Sequence, residues 1–249
     1  MRLLIFILIF STSSLFAGQP DSLKTKKWAL GLTYSPDFCY RTAFNKNNQS
    51  TYSNIVEKPK YGYTAGLNIL YRLMDKIGVE FGILYSTKGQ KINTESYTWI
   101  NPDDLQDPTV PNYNSSAAVI GTNRKTKYTY QYLEIPVKIN AYLVSHKKLK
   151  IFPSLGCSIN IFTGKKTEST FDYNDGRTEK EKSSYYNSKN IPSAEFAVLV
   201  GVGVTYDISD KLFVKFEPSY RSFIRPLVDY PLSGTFYSIG ANTGLYFNF

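Results

Sequence analysis

The last residues of the chain, 234–249, set Tyr237, Ile239, Ala241, Thr243, Leu245, Phe247 and Phe249 on one parity and Ser238, Gly240, Asn242, Gly244, Tyr246 and Asn248 on the other. A strand sends alternate side chains to opposite faces, so this segment has one apolar face and one small, polar face. The same alternation recurs in residues 28–40, 61–73, 77–88, 128–143, 149–163, 194–207 and 212–223, which makes eight strand candidates. In 77–88, for example, Val79, Phe81, Ile83 and Tyr85 oppose Gly78, Glu80, Gly82 and Ser86. In 212–223, Val214, Phe216 and Tyr220 oppose Lys215, Glu217, Ser219 and Arg221.

The connections narrow the choice of architecture further. Residues 74–76, 145–148 and 209–211 are tight and polar, whereas 41–60, 91–127, 164–191 and 224–233 are longer, and long and short alternate without exception. Transmembrane barrels of the outer-membrane type have short periplasmic turns and long external loops, with an apolar exterior and a polar interior. The fold class expected is all-β: an eight-stranded antiparallel up-and-down transmembrane β-barrel, with ten strands as the variant. Each candidate meets the roughly 9–11 tilted residues a spanning strand requires. Tyr34, Tyr61, Tyr71, Tyr85, Tyr206, Tyr220 and Tyr237 fall where interfacial girdles belong.

The N-terminus reads as a processing signal. Arg2 precedes an unbroken apolar run over residues 3–10, too short to span a bilayer as a helix, and small residues follow up to Ala17. Residues 1–17 are expected to be a signal peptide and 18–249 one barrel domain. Gly18 after the expected cut excludes a lipoprotein signal of the usual kind. The net charge of +9 is dispersed among acidic residues, which disfavours nucleic acid and suits anionic lipid headgroups. Cys39 and Cys157 fall on the first and fifth strands, too far apart to bridge, so two free, buried thiols are expected. Within the long connection 91–127, the pieces 97–100 and 117–120 are candidates to pair as a hairpin above the membrane.

The fourth segment contains Tyr132, Leu133, Glu134, Ile135, Pro136, Val137 and Lys138 in a row. This resembles the Tyr-Leu-Glu-Ile-Pro signature of the PorT-like outer-membrane β-barrel family of Bacteroidota-type bacteria. The closing run from Gly244 to Phe249, and Phe152, Pro153, Ser154, Leu155 and Gly156, are similar to the same family's strands. The resemblance implies an eight-stranded outer-membrane barrel. It also implies kinship with a founding member that serves a protein-secretion and gliding system, although a fold hosts many functions.

The polar parity carries Arg72, Glu80, Glu134, Lys138, Lys215, Glu217 and Arg221. An eight-stranded barrel has an interior just wide enough for side chains to fill, and buried charges must pair. These seven are therefore expected to form a lumenal charge network that fixes strand register. A gated ion path, a narrow pore for ions or small solutes, is the alternative. Pro136 cannot donate to the ladder and predicts a local bulge. His146, the one histidine, lies in a short turn beside Lys147 and Lys148 and reads as solvated rather than catalytic. Carboxylate catalysis by Glu80 and Glu134, in a lipid-modifying enzyme, is a weaker reading because their neighbours are cations suited to keeping them ionised. Asp172, Tyr173, Asn174, Asp175 and Gly176 depart from a calcium loop, since the Gly falls one place early and the closing Glu is missing, so a turn is expected. Asn101, Pro102, Asp103, Asp104 and Asp107 read likewise as a solvated turn. No metal and no cofactor is expected. The functional expectation is a monomeric, non-enzymatic outer-membrane protein. It contacts outer-membrane lipid and offers its long loops to an envelope protein partner.

Overall fold

The structure is a computed structural model that describes residues 27–44, 55–99, 119–173, 176–186, 191–229 and 232–249. The expected signal peptide and the acidic stretch 101–107 lie outside these residues. The described elements are β1 (Trp28–Phe44), β2 (Ile55–Met74), β3 (Ile77–Trp99), β4 (Val119–Ala141), β5 (Val144–His146), β6 (Leu149–Tyr173), β7 (Thr178–Tyr185), β8 (Ala194–Asp207), β9 (Leu212–Phe223), β10 (Leu227–Asp229) and β11 (Leu232–Asn248). Eight of them form a ring in the order β1-β2-β3-β4-β6-β8-β9-β11, and β11 pairs back onto β1. Every neighbouring pair in the ring is antiparallel. The closing ladder holds one register from Ala29↔Asn248 to Phe44↔Ser233, so the sheet has no open edge there. This is the eight-stranded barrel that the alternation predicts.

Burial settles which face points inward. Leu32, Ile83 and Val202 are 66%, 63% and 59% exposed, whereas Glu80 and Glu217 are 0% exposed. The apolar parity is the outer face, as a lipid-facing wall requires. Tyr34, Tyr61, Tyr85, Tyr206 and Tyr220 lie on that face. Outward aromatic contacts join neighbouring strands, among them Trp28–Tyr71 (4.4 Å between centroids), Phe38–Tyr61 (5.6 Å) and Tyr40–Tyr237 (5.3 Å).

Three expectations are corrected. First, much of the expected long connections is strand. β3 and β4 stay paired up to Thr98↔Ile120 and Trp99↔Val119, so the candidate hairpin within 97–120 exists where it is described. β7 pairs with β6 from Lys165↔Tyr185 to Asp172↔Thr178. β2, β3, β4, β6 and β7 thus continue past the apolar band as one external sheet, and β10 pairs with β11 beside the rim. Secondly, Pro136 makes no bulge. The β3–β4 register runs unshifted from Phe81↔Val137 to Leu84↔Glu134, with a gap in the ladder between them, and on the other side Pro136 faces Ser158 in register. The missing N–H costs ladder bonds without inserting a residue. The shifts in these ladders lie elsewhere, at Pro59/Tyr63 and Arg72/Met74 on β2 and at Gln131/Tyr132 and Gly121/Asn123 on β4. Thirdly, both cysteines are free, but only Cys39 is buried; Cys157 is exposed on the outer face with Leu155 and Ile159.

Candidate functional site

β9 sets out the interior in order. Its inward residues are Phe213, Lys215, Glu217, Ser219, Arg221 and Phe223, all at most 8% exposed. The ends are aromatic and the middle is charged, and the other strands supply matching partners at each level.

At the end of the ring with the short connections, Phe213 and Tyr246 stack with ring centroids 4.9 Å apart, in one buried cluster with Ala29 and Leu70. Tyr142 and Phe152 pack nearby at 5.3 Å. The Tyr246 ring lies flat against Gly31, where any Cβ would overlap it. Arg72 belongs to this end. It donates from Nη2 to Asn248 Oδ1 (2.9 Å) and stands 5.4 Å over the Phe213 ring.

Above this layer sit Glu80, Lys138, Lys215 and Glu217. Lys138 Nζ lies 3.2 Å from Glu80 and 2.9 Å from Glu217, and Lys215 Nζ lies 2.7 Å from Glu217 and bonds Glu80 as well. Each carboxylate touches both ammonium groups, so the quartet is neutral. Further donors fill the remaining lone pairs: Tyr246 Oη (3.2 Å) and Asn140 Nδ2 (3.0 Å) to Glu80, and Ser154 Oγ (2.5 Å) to Glu217. Buried ions are tolerated when they are paired and hydrogen-bonded in this way.

A second neutral set lies toward the end with the long strand extensions: Asp37, Lys88, Glu134 and Arg221. Arg221 Nη1 donates to Asp37 Oδ1 at 2.6 Å, and Asp37 also accepts from Ser35 (2.7 Å) and Thr64 (2.6 Å). Glu134 is looser, 3.6 Å from Lys88 and 3.9 Å from Arg221, and its oxygens make no hydrogen bond in the structure. Between the two sets is a cavity of about 20 Å³ lined by residues that include Glu134, Pro136, Lys138, Glu217, Ser219 and Arg221. A water needs roughly 10–15 Å³ by this measure, so nothing much larger fits.

Over the second set lies another aromatic layer of Tyr130, Tyr132, Phe223 and Phe236, with Ala197 and Ile191. Tyr132 meets Phe223 edge-on at 5.4 Å, and Tyr130 meets Phe236 at 5.2 Å.

Six of the seven residues expected in the lumenal network therefore come together, in two sets rather than one, while Arg72 is placed apart, at the end with the short connections. Asp37 and Lys88 were missed. The signal for Asp37 was available: it shares parity with Ser35 and Cys39 once the alternation of β1 is carried past Pro36. Lys88 stood at the edge of its expected strand, where Ser86, Thr87, Lys88, Gly89 and Gln90 are all buried opposite the irregularity in β2 and simple parity fails.

Outside the membrane, the face of the external sheet that continues the barrel's outer wall is polar. Lys127 Nζ bonds Glu168 (3.1 Å), and Lys125 Nζ bonds Asp172 (3.0 Å), which also accepts from Thr178 Oγ1 (3.1 Å). The Lys127 hydrogen bond holds the Glu168 carboxyl below its ordinary value, and the Lys125 bond does the same for Asp172. Gly176, at φ 83°, donates to Tyr173 O (3.1 Å), the turn expected there. His146 is exposed but is the last residue of β5, paired with Leu149 of β6, so it stands beside the turn at Lys147 and Lys148 rather than in it. Among the described residues, no group of three or more His, Cys, Asp or Glu is placed to hold a metal ion.

Comparison with known proteins agrees with this architecture. Residues 17–225 match the family model described as outer membrane protein beta-barrel domain. No curated protein matches the chain. Solved structures similar to it include Neisserial surface protein A, at 11% identity and a TM-score of 0.43 over 89% of this chain and 97% of that one. The outer membrane protein OprG from Pseudomonas aeruginosa is similar at 11% identity and a TM-score of 0.42, over 90% and 96%. The outer membrane protease OmpT from Escherichia coli is similar at 9% identity and a TM-score of 0.40, over 93% and 99%. With its ring of eight strands, its polar lumen and its apolar wall, the chain belongs to the outer membrane protein beta-barrel domain family and is a protein of the outer membrane.

Proposed function

We propose that this barrel is a closed, non-enzymatic scaffold that anchors an external β-sheet in the outer membrane and presents it to an envelope protein partner. The observation that carries this reading is the contrast between the two halves of the molecule. The described lumen is spent on two neutral ion-pair sets between two aromatic layers, and the cavity between the sets, of about 20 Å³, has room for no substrate. The external strands are long, paired and polar. In this reading the lumenal residues are structural: they fix register and fill the ring. The Tyr132–Glu134–Pro136 motif supports a PorT-like role within the family, with the external sheet as the part that meets a secretion or envelope complex.

Two measurements test this. Purified barrel in planar bilayers gives no conductance steps at any voltage; discrete steps would replace the scaffold reading with the pore. Photo-crosslinkers placed at Thr129 or Ser184 on intact cells capture one protein reproducibly. An absence of any crosslinked protein at every external position tried would remove the partner from the proposal.

A further inference from the structure

One row of residues crosses five strands of the external sheet: Lys58↔Lys91, Lys91↔Lys127, Lys127↔Glu168 and Glu168↔Lys182. It holds four lysines and one glutamate. Its direction is fixed by β4, where the outward parity runs without a break from Ile139, Val137, Ile135 and Leu133 up to Lys127 and Lys125, while Thr126 and Tyr130 are buried on the other face. The wall that meets hydrocarbon below therefore becomes the lysine row above. Lys58, Lys91 and Lys182 are exposed.

Residues directly opposite on antiparallel strands have Cβ atoms about 4.5–5.5 Å apart, and like charges in such pairs are destabilising. Lys58, Lys91 and Lys127 are three such neighbours in succession, and Glu168 neutralises one of them. Most local choices in this chain agree with its fold; this one opposes it, which marks a functional position rather than a structural one. An anion from outside the chain removes the conflict.

We propose that this row docks the phosphate groups of glycolipid headgroups in the outer leaflet around the barrel. The partner follows from position. The row faces away from the barrel axis, over the leaflet, on the same strand faces that contact acyl chains. Lys127 lies six residues beyond Leu133, which at about 3.3 Å per residue and a tilt of roughly 40° places it ~15 Å higher. That height exceeds the shallow headgroup zone of a phospholipid, which is roughly 5–8 Å deep per leaflet, and suits phosphorylated sugars. Between Leu133 and Lys127 the outward residues are Gln131 and Thr129, whose amide and hydroxyl suit sugar hydroxyls. The inference rests on the long connections being external, as the scaffold reading has them, but its outcome is separate: conductance and partner capture are untouched by it.

The test uses the full chain in a neutral detergent, titrated with a bisphosphorylated glucosamine-disaccharide glycolipid, with the same glycolipid lacking phosphate, and with tripolyphosphate as the soluble source. Native mass spectrometry reads binding. Wild type binds the phosphorylated glycolipid, and K58Q/K91Q/K127Q binds it roughly tenfold or more weakly, as three surface lysines near anionic headgroups imply; the dephosphorylated lipid does not separate the two proteins. Without lipid, K91Q, which keeps the Lys127–Glu168 bond and stands in for the triple variant if that does not fold, unfolds at a higher temperature than wild type because the repulsion is relieved. Equal affinity of wild type and variant for the phosphorylated glycolipid overturns the proposal. So does tripolyphosphate binding as tight as glycolipid binding, which assigns the row to soluble polyanions. K91Q less stable than wild type in detergent also overturns it, since Lys91 would then be balanced within the chain.

Discussion

Glu217 offers the sharpest test of how the lumen is held together. Its carboxylate receives Lys215 at 2.7 Å, Lys138 at 2.9 Å and Ser154 at 2.5 Å, and it is fully buried. Replacing it with Leu removes two close attractions and leaves two ammonium groups sharing Glu80. One uncompensated positive charge then sits in a dry interior. Breaking a buried pair from one side costs about 3–5 kcal/mol. With an m-value near 2 kcal/mol per M urea, the unfolding midpoint moves down by roughly 2 M. The paired variant Lys215→Met/Glu217→Leu removes one charge of each sign and leaves Lys138 and Glu80 at 3.2 Å as a neutral pair. It is expected to recover at least half of the Glu217→Leu loss, so the double variant falls short of the sum of the two single losses by more than about 2 kcal/mol, as coupled residues in one network do. Urea unfolding in lipid vesicles, followed by tryptophan fluorescence and by heat-dependent gel mobility, measures both. If Glu217→Leu lies within ~0.5 kcal/mol of wild type, or if the double variant loses the sum of the two single losses, the network does not act as a unit and the reasoning fails.

The remaining predictions concern separate levels of the molecule. Gly240→Ala would drive a Cβ into the Asp37 carboxylate and close to Ser35 and the Pro36 carbonyl, so it is expected to disrupt the Asp37–Arg221 pair and lower the unfolding midpoint, whereas Gly176→Ala, with nothing within 4 Å, perturbs only its local turn. Cys157 faces lipid and Cys39 the interior; in vesicles a membrane-soluble maleimide is expected to label Cys157→Ser far less than Cys39→Ser, and equal labelling would contradict the placement. For the external sheet the sign follows from the depressed carboxyls of Glu168 and Asp172. A group whose folded value is lowered stabilises the fold above its ordinary value and loses that contribution as pH falls through the folded one. Amide protection in β6–β7, corrected for intrinsic exchange, should hold from pH 8 to 5 and decline below about 4, the ordinary carboxylate range; a decline already at pH 6 would point to other groups.

The barrel itself was legible in the sequence because two solvents write on one strand. Where one face meets hydrocarbon and the other meets packed polar groups, as at Ile135 and Glu134, each step of the chain changes character. Above the membrane that contrast disappears. Lys125, Thr126 and Lys127 form a strand as regular as Ile135, Pro136 and Val137, yet both of its faces are polar, so the segment reads as loop. The lumenal network was legible for the same reason as the barrel, and incomplete where alternation breaks. Asp37 lay beyond a proline, and Lys88 lay opposite the irregularity at Pro59/Tyr63. The aromatic layers were not anticipated, because Phe213, Phe223, Phe236 and Tyr246 occupy the polar parity and nothing in a one-dimensional pattern tells a ring that caps a lumen from one that faces lipid.

The Asp37–Arg221 bond joins the first strand of the ring to the one before the last. It forms only when β1 and β11 meet, so during assembly each of these ions needs water that the finished barrel excludes. Hydration of the growing wall on its concave side is thus a requirement of the pathway, and drying of the interior is tied to the moment the cylinder seals.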